Sequence, residues 1–182
     1  LGLGRGSGPR SIGGMRAING LLHRPFLSLR RTETEHICRW HDLSWWQDPH
    51  NEDPMFRRVR VRRELIPLME DVLGGGVAEA LARTAELVRS DADTLDLLAM
   101  RETPESGEIE DVWTFADLDR AIRLRVWRAL AIRAGAFSGE LSHGHTLALD
   151  SLLAARGGTQ IELPGGVVAV RVGQTVRFGQ SD

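Results

Sequence analysis

Five arginines fall within seven residues in the first half of the chain: Arg57, Arg58, Arg60, Arg62 and Arg63. They follow a turn rich in Asp, Asn and Pro, in the stretch DPHNEDPMFRRVRVRRELIP. Like charges four residues apart on a helix repel, so a solvated helix normally mixes acids with bases. Arg58 and Arg62 have this spacing, and the next acid is Glu64. The pattern favours an external polyanion as ligand, and nucleic acid is the first candidate.

An internal explanation of the arginine run stays open. Arginines on a helix often pair with carboxylates of the same chain, and Asp48, Glu52 and Asp53 are near enough in sequence to do so. In that case the positive charge is neutralised within the protein. If phosphates are bound instead, binding must weaken strongly with salt, because association releases counterions.

A glycine-rich segment, GLGRGSGPRSIGGM, lies near the start of the chain. Its first glycines alternate, whereas a dinucleotide-binding turn needs G-x-G-x-x-G after a strand. Backbone amides together with Arg5 could form a nest that binds an anion. A flexible connection is the alternative.

Two groups of histidine and cysteine are close in sequence: His36, Cys38 and His41 on one predicted helix, and His143 with His145. Neither group supplies a full ligand set at zinc spacing, so no metal site is predicted. No nucleophile elbow and no distinguishable Ser/His/Asp or Cys/His set is present either. The sequence therefore predicts no catalytic residue in this chain.

Tryptophans surround the turn before the arginines, at Trp40, Trp45 and Trp46. Aromatic rings beside arginines can stack on exposed bases. Tryptophans at this spacing more often fill a core. We therefore expect Trp40 and one of the adjacent pair to be buried.

Charge is divided unevenly along the chain. Residues 1–63 carry twelve arginines and six acids, whereas residues 64–182 carry eleven arginines and nineteen acids. All 23 basic residues are arginine, and the lack of lysine excludes a Walker A loop, a Schiff-base enzyme and a protein kinase from this chain alone. The single cysteine, Cys38, excludes an internal disulfide and favours a cytoplasmic location. No apolar run is long enough to span a membrane.

Hydrophobic periodicity predicts the elements that hold these residues. Thr32 and Glu35 form a capping-box pattern at the start of a helix. A second helix is expected from residue 54 to about residue 73, with its apolar face opposite the arginines and a disturbance at Pro67. The glycines at 74–76 should end it.

The rest of the chain has helical periodicity followed by strand periodicity. A long amphipathic helix is predicted over 77–100, an acidic loop over 102–111, and further helices over about 114–134 and 142–156. A small meander of β-strands with glycine turns follows. The predicted fold class is α+β, mainly α-helical.

Four sequence blocks, taken in order, resemble the tRNA(Ile)-lysidine synthetase family, whose catalytic domain is of the ATP-pyrophosphatase type. They are RGSG at 5–8, IGGM at 12–15, RPFL at 24–27, and W-x-x-D-x-x-N-x-D with F-x-R-x-x-x-R-x-x-L-I-P at 45–67. The order and spacing of all four make the match specific. Further along, the resemblance rests on an arginine-rich helix and the terminal Leu-Pro-Gly-Gly hairpin.

The resemblance implies a division of the chain. Residues 1–53 would be the C-terminal edge of an α/β, Rossmann-like nucleotide domain, and residues 54–76 a linking helix. Residues 77–182 would be a helical tRNA-binding domain with a terminal β-hairpin or meander. The implied enzyme uses ATP and Mg²⁺ to adenylate the wobble cytidine of tRNA(Ile) with a CAU anticodon. Lysine, the co-substrate, then displaces AMP to form lysidine.

Site residues can be carried over position by position. The residues expected near ATP or the adenylate are Arg5, Gly6, Ser7 and Gly8. The residues expected to bind tRNA are Arg57, Arg58, Arg62 and Arg63. Asp48 and Asn51 are expected to shape the turn between these groups.

The chain departs from the family pattern in ways that limit what it can do alone. The SGGxDS phosphate loop is absent from the sequence, which starts at Leu1 without an initiating Met. We therefore expect a fragment whose catalytic motif lies upstream of Leu1 and which has no synthetase activity of its own. A homodimer stays open as a quaternary state. The rival hypothesis is a non-catalytic helical adaptor that binds RNA, or whose acidic half docks a basic protein.

Overall fold

The structure, a computed structural model, describes residues 9–180, except for the side chain of Arg10. They form two compact units, one of residues 11–87 and one of residues 9–10 and 88–180. The helices are α1 (Pro9–Ile12), α2 (Arg31–Trp40), α3 (Arg57–Arg60), α4 (Ile66–Leu73), α5 (Val77–Arg101), α6 (Val112–Ala116), α7 (Arg120–Arg133) and α8 (His143–Ser151). The strands are β1 (Ile18–Asn19), β2 (Leu22–His23), β3 (Gln160–Leu163), β4 (Val167–Val172) and β5 (Thr175–Gln180). A 3₁₀ turn covers Pro49–Asn51 and a π-helical turn covers Val61–Leu65.

Helix α2 is capped differently from the prediction. The backbone N–H of Arg30 donates to the Glu33 carboxylate at 2.6 Å, which closes a capping box two residues before the one predicted at Thr32 and Glu35. Glu35 instead accepts from Arg31 Nε at 2.8 Å, one turn away. Glu33 forms the cap in place of Glu35 because it lies in the first turn of the helix, beside backbone N–H groups that have no acceptor within the helix.

The helix predicted around Pro67 forms without a break. α3, the π-helical turn and α4 follow one another from residue 57 to residue 73. Pro67 has no N–H to donate to the carbonyl four residues earlier, so the regular α-helical pattern is interrupted there. The disturbance takes the form of the π-helical turn. α4 then ends at Gly74, whose φ of +90° matches the predicted glycine stop.

Few apolar side chains of the first unit are buried. Among the described residues 11–87, Val59 and Val77 are the hydrophobic residues that are less than one-tenth exposed. Trp40 is 78% exposed, so its predicted burial is wrong. Leu65 and Leu68, on the face expected to oppose the arginines, are exposed as well. Periodicity identifies an apolar face correctly, but burial also needs a second surface to cover that face.

The second unit has a continuous hydrophobic core. Trp127 of α7 is fully buried, and its ring meets that of Phe115 edge-on at 4.8 Å between centroids. Leu149 of α8 and Val167 and Ala169 of β4 complete the same cluster. α7 begins at residue 120, six residues later than predicted, because a separate short helix, α6, forms first.

The predicted meander forms as a three-stranded antiparallel sheet in the order β3-β4-β5. Ala169 of β4 faces Ile161 on one side and Phe178 on the other. Alternate residues of β4 are buried, as expected for a strand with one face against a core. The described residues therefore form a mainly helical α+β chain with small antiparallel sheets. None of its described helices has the length and apolar character needed to cross a membrane.

Candidate nucleic-acid interface

Asp48 closes the turn that precedes the arginines. Its Oδ1 accepts a hydrogen bond from the His50 backbone N–H at 2.9 Å and lies 2.8 Å from His50 Nδ1. The Asn51 N–H donates to the Asp48 carbonyl at 3.0 Å. The bonds from the His50 backbone and then its side chain hold the pKa of Asp48 below its usual value, and the charge of Arg58 adds a smaller effect in the same direction. Asp48 and Asn51 thus lie at opposite ends of one short turn.

The arginine run forms the first two turns of the following helix. Val59, which is 2% exposed, anchors this segment. The arginines on its other sides are all exposed to solvent: Arg57, Arg58 and Arg60 in α3, and Arg62 and Arg63 in the π-helical turn. A ligand in solution can therefore reach their guanidinium groups.

Two of the five arginines are neutralised within the first unit. Arg60 Nη2 lies 3.0 Å from Glu64, and Arg63 Nη2 lies 3.2 Å from Glu52. The internal alternative thus holds for these two, and any ligand of Arg63 must compete with Glu52. In the described part of the chain, no carboxylate forms an ion pair with Arg57, Arg58 or Arg62.

The far end of the arginine-bearing helix is tied to the start of α5. The Glu70 carboxylate accepts hydrogen bonds from the backbone N–H groups of Ala78 (2.9 Å) and Val77 (3.0 Å). The first N–H groups of a helix have no acceptor inside it, so Glu70 caps α5 from a distance. These bonds, that from Ala78 first, lower the pKa of Glu70. Three glycines with positive φ, at 74–76, make the intervening bend.

An aromatic side chain that the sequence argument missed, Phe56, lies beside Arg58, and a second one, His50, lies beside Phe56. The Arg58 Cζ lies over the Phe56 ring, 4.6 Å from its centroid. The His50 ring meets the same phenyl ring edge-on, at 5.7 Å between centroids and an interplanar angle of 72°. The signal in the sequence was the F-x-R spacing at a helix start, which puts an aromatic ring within reach of the arginine.

The tryptophans around the turn are open to solvent. Trp46 is 76% exposed and Trp45 is 40% exposed, so the burial expected for one of the pair is not found. Arg39 Cζ lies 5.8 Å from the centroid of the Trp45 ring. Like Trp40, they belong to the unit in which few of the described apolar side chains are buried.

The residues expected near the nucleotide, Arg5, Gly6, Ser7 and Gly8, lie outside the described residues. The expectation that the catalytic motif precedes Leu1 stays a prediction, because the structure describes no residue before Pro9. Within residues 9–180, no group of three or more His, Cys, Asp and Glu side chains is arranged to hold a metal ion. The structure therefore places the expected turn and tRNA-binding residues in the first unit.

Three arginines of α7 are held by groups of the second unit. Arg123 forms a bidentate pair with Asp150 at 2.7 and 3.1 Å. Arg125 lies 3.0 Å from Asp96, and Arg128 donates to two backbone carbonyl groups at 2.6 and 2.7 Å. Most of the guanidinium groups of this helix thus bind acids or carbonyl groups of the protein, whereas those of Arg57, Arg58 and Arg62 form no ion pair with a described carboxylate.

An acidic cleft of about 520 Å³ lies in the second unit. Its apolar lining includes Ile109, Phe115 and Leu118. Its carboxylates are Glu102, Glu105, Glu110 and Asp111. Asp111 also caps α6, accepting from the Trp113 N–H at 3.0 Å, so one of the four is already engaged. The cleft is the feature that best suits the rival hypothesis of a docked basic segment.

Comparison with known proteins gives one consistent answer. Residues 1–69 match the model of a PP-loop domain family. The chain is 44% identical to a tRNA(Ile)-lysidine synthase of Streptomyces coelicolor over 95% of this chain and 51% of the relative. It is 43% identical to that of Thermobifida fusca (91% and 52%) and 51% identical to that of Mycolicibacterium paratuberculosis (75% and 43%).

The first two alignments cover more than nine-tenths of the present chain, whereas the chain spans about half the length of the curated relatives it matches. The matched residues include the turn and the arginine run, which lie within the PP-loop match. The resemblance indicated by the four sequence blocks is therefore confirmed: the chain contains a PP-loop match and is similar to tRNA(Ile)-lysidine synthases over most of its length.

Proposed function

We propose that the chain is the tRNA-handling portion of an ATP-dependent tRNA(Ile)-lysidine synthetase. One contrast within the chain carries this proposal. Arg57, Arg58 and Arg62 are exposed and have no ion pair with a described carboxylate, whereas four of the five arginines of α7 are bound by acids or carbonyl groups: Arg123, Arg125, Arg128 and Arg133. The first set therefore has its charge available for phosphates. The names of the relatives supply the identity of the RNA.

In this proposal the arginines have different tasks. Arg58 and Arg62, one helical turn apart, contact tRNA phosphate groups directly, and Arg57 adds charge at the helix start. Arg63 joins them when phosphate displaces Glu52, with which it now pairs at 3.2 Å. Guanidinium groups suit this role because they bind phosphate through two parallel N–H bonds.

The proposed reaction of the complete enzyme joins lysine to the wobble cytidine of tRNA(Ile) with a CAU anticodon. ATP adenylates the base and pyrophosphate leaves; the ε-amine of lysine then displaces AMP and forms the new C–N bond. ATP accords with the PP-loop match, whereas Mg²⁺ and lysine come from the family resemblance alone. The proposal assigns Mg²⁺ no ligand among residues 9–180, where no group of three or more His, Cys, Asp and Glu side chains is arranged to hold a metal ion.

By the family resemblance, the residues of this chain proposed to lie near ATP or the adenylate are Arg5, Gly6, Ser7 and Gly8. The SGGxDS loop, which by the family resemblance the adenylation needs, is absent from the 182 residues. We therefore expect this chain alone to release no pyrophosphate from ATP in the presence of tRNA(Ile). Pyrophosphate release above background would refute that expectation.

We propose the domain arrangement expected from the resemblance: an edge of a Rossmann-like domain over 1–53, a linking helix over 54–76 and a tRNA-binding domain over 77–182. The PP-loop match to residues 1–69 supports the first part. The small number of buried apolar side chains among residues 11–87 supports it as well. The edge of a larger domain has an exposed apolar face that the rest of that domain would cover. The self-contained core of the second unit supports the last part.

The proposal also carries a cytoplasmic location, where tRNA and ATP meet, with Cys38 kept reduced. A homodimer is the quaternary state to be tested. Light scattering on the eluate of a size-exclusion column distinguishes it from a monomer.

Filter binding at several salt concentrations tests the proposed function. The chain should bind a tRNA(Ile) transcript more tightly than bulk RNA, with an affinity that falls as salt rises. Replacing Arg57, Arg58 and Arg62 together by Gln should reduce the slope of log K against log salt by about 2, since each lost phosphate contact removes about 0.7–0.9.

A matched control removes an ion pair from the same helix. Arg60→Gln combined with Glu64→Gln changes no net charge and should leave the slope unaltered. A flat salt slope, together with no preference for tRNA(Ile), would overturn the proposal. Tight binding of a poly-arginine peptide that is lost when Glu102, Glu105 and Glu110 become Gln would favour the adaptor hypothesis instead.

A further inference from the structure

The surroundings of Arg58 differ from those of its neighbours. Arg60 and Arg63 are held by carboxylates, which orient the guanidinium groups but also neutralise them. Arg58 is held by the face of the Phe56 ring, with its Cζ 4.6 Å from the ring centroid. A ring face attracts a cation through its quadrupole and uses none of the N–H donors. Arg58 therefore forms no ion pair with a described carboxylate and keeps its N–H donors free of the ring. The contact with the ring favours one conformation of its side chain.

The main chain at Phe56 is fixed by hydrogen bonds on both sides. Phe56 is the N-cap residue of α3, and its carbonyl accepts the N–H groups of Val59 at 2.9 Å and Arg60 at 3.3 Å. Its own N–H donates to the Asp53 carbonyl at 3.2 Å. The main chain thus enters the helix along a defined path, and the ring leaves it beside the guanidinium group of Arg58.

A second aromatic contact supports the ring. The His50 ring meets Phe56 edge-on at 5.7 Å. His50 is in turn held by Asp48 Oδ1, through its backbone N–H and its Nδ1. The chain of contacts Asp48–His50–Phe56–Arg58 therefore links the turn that precedes the helix to an arginine proposed to bind phosphate.

We propose that Phe56 is a positioning residue for tRNA binding, which holds the Arg58 guanidinium in a phosphate-ready position without neutralising it. The inference rests on the proposed function of the arginines. An arginine side chain free to rotate loses conformational entropy when it binds, and a side chain that is already oriented loses less. Removing the ring should weaken affinity while the number of phosphate contacts stays the same.

The test compares Phe56→Leu, Phe56→Tyr and Arg58→Gln in the full 182-residue chain, with fluorescence anisotropy of labelled tRNA(Ile) as the readout. Phe56→Leu should raise Kd about two- to fivefold, the range expected for an exposed cation–π contact. Phe56→Tyr keeps an aromatic face and should restore binding to within about twofold of the parent. Met55→Leu, at the exposed neighbouring residue, is the matched control and should leave Kd unchanged.

Salt dependence separates positioning from a merely structural role. Phe56→Leu should keep the slope of log K against log salt, because Arg58 still contacts phosphate, whereas Arg58→Gln should lower it by about 0.7–0.9. The double variant should bind no more weakly than Arg58→Gln alone, since the ring acts only through that arginine.

The outcomes distinguish this inference from the proposed function. If Arg58→Gln leaves both Kd and slope unchanged, the proposed role of the arginine run fails. If Arg58→Gln weakens binding but Phe56→Leu does not, or if the two effects add in the double variant, the positioning role is overturned and the proposed function stands. If Phe56→Leu lowers the melting temperature, Phe56→Met replaces it in the double-variant comparison with Arg58→Gln. The positioning role then requires that the effects of Phe56→Met and Arg58→Gln on Kd do not add.

Discussion

Replacing Asp150 by Ala should destabilise the second unit more than any change at a surface ion pair. The Asp150 carboxylate accepts from Arg123 Nε and Nη2 at 2.7 and 3.1 Å and from Trp127 Nε1 at 3.0 Å. The side chains of Arg123 and Asp150 are only 16% and 15% exposed. Truncation therefore leaves a largely buried guanidinium and a buried indole N–H without their acceptor.

The loss of stability depends on the hydrogen-bond acceptors that remain for Arg123 and Trp127 after Asp150 is truncated. Leaving one partner of a buried pair uncompensated costs about 3–5 kcal/mol. Arg123 keeps two carbonyl acceptors, Ala116 O at 2.7 Å and Leu118 O at 2.9 Å, which favours the lower end of this range. The lost bond from Trp127 adds about 1 kcal/mol. We expect the unfolding free energy of the second unit to fall by about 3–4 kcal/mol.

Urea denaturation followed by tryptophan fluorescence measures this change, because the fully buried Trp127 reports on the core of the second unit. The matched control is Glu108→Ala, which breaks an exposed pair with Arg177 and should cost less than about 1 kcal/mol. Equal losses for Asp150→Ala and Glu108→Ala would refute the reasoning. A further check is Arg123→Met with Asp150→Leu, which removes both charges and should cost less than Asp150→Ala alone.

Three other predictions concern single contacts. The backbone N–H groups of Ala78 and Val77 donate to the Glu70 carboxylate and lower its pKa below the ordinary 4.5, so the stability that Glu70 contributes is present above pH 4.5 and is lost as the pH falls through the lowered pKa. Denaturation midpoints measured between pH 3 and 7 should show this loss of stability, and Glu70→Gln should abolish its pH dependence. Ser142→Ala removes the N-cap of α8 and should lower the unfolding free energy by about 1 kcal/mol in urea titrations, whereas Ser142→Asp should not. In a complete lysidine synthase, Arg62→Ala should weaken tRNA binding by about 1–3 kcal/mol and leave ATP binding unchanged, and an unaltered tRNA affinity would contradict its proposed role.

Local patterns in the sequence predicted the elements well. The long helix from Val77, the glycine stop at Gly74 and the antiparallel meander are all present, since each depends on periodicity or on a backbone conformation that few residues adopt. Helix caps were harder to place. The Thr32 pattern lost to Glu33 because several side chains near a helix start compete for the same N–H groups.

Burial and charge pairing were less predictable than the elements. Trp40 carries the right side chain for a core but is 78% exposed, in a unit where few of the described apolar side chains are buried. The arginine run looked uniform in the sequence, yet Arg60 and Arg63 are paired and Arg58 lies on a ring. Such distinctions depend on where Glu52 and Phe56 come to lie, which spacing along the chain does not determine.

The bend between α4 and α5 has an unusual chemical requirement. Gly74, Gly75 and Gly76 have φ values of +90°, +85° and +73°, and an added Cβ at any of them would meet no atom within 4 Å. Space is available for a side chain, so it is the handedness of the ordinary amino acids that would strain the bend, by about 1–2 kcal/mol for each residue. A D-alanine introduced by chemical synthesis at these positions would adopt the positive φ values without that cost, and would stiffen the bend without altering its course.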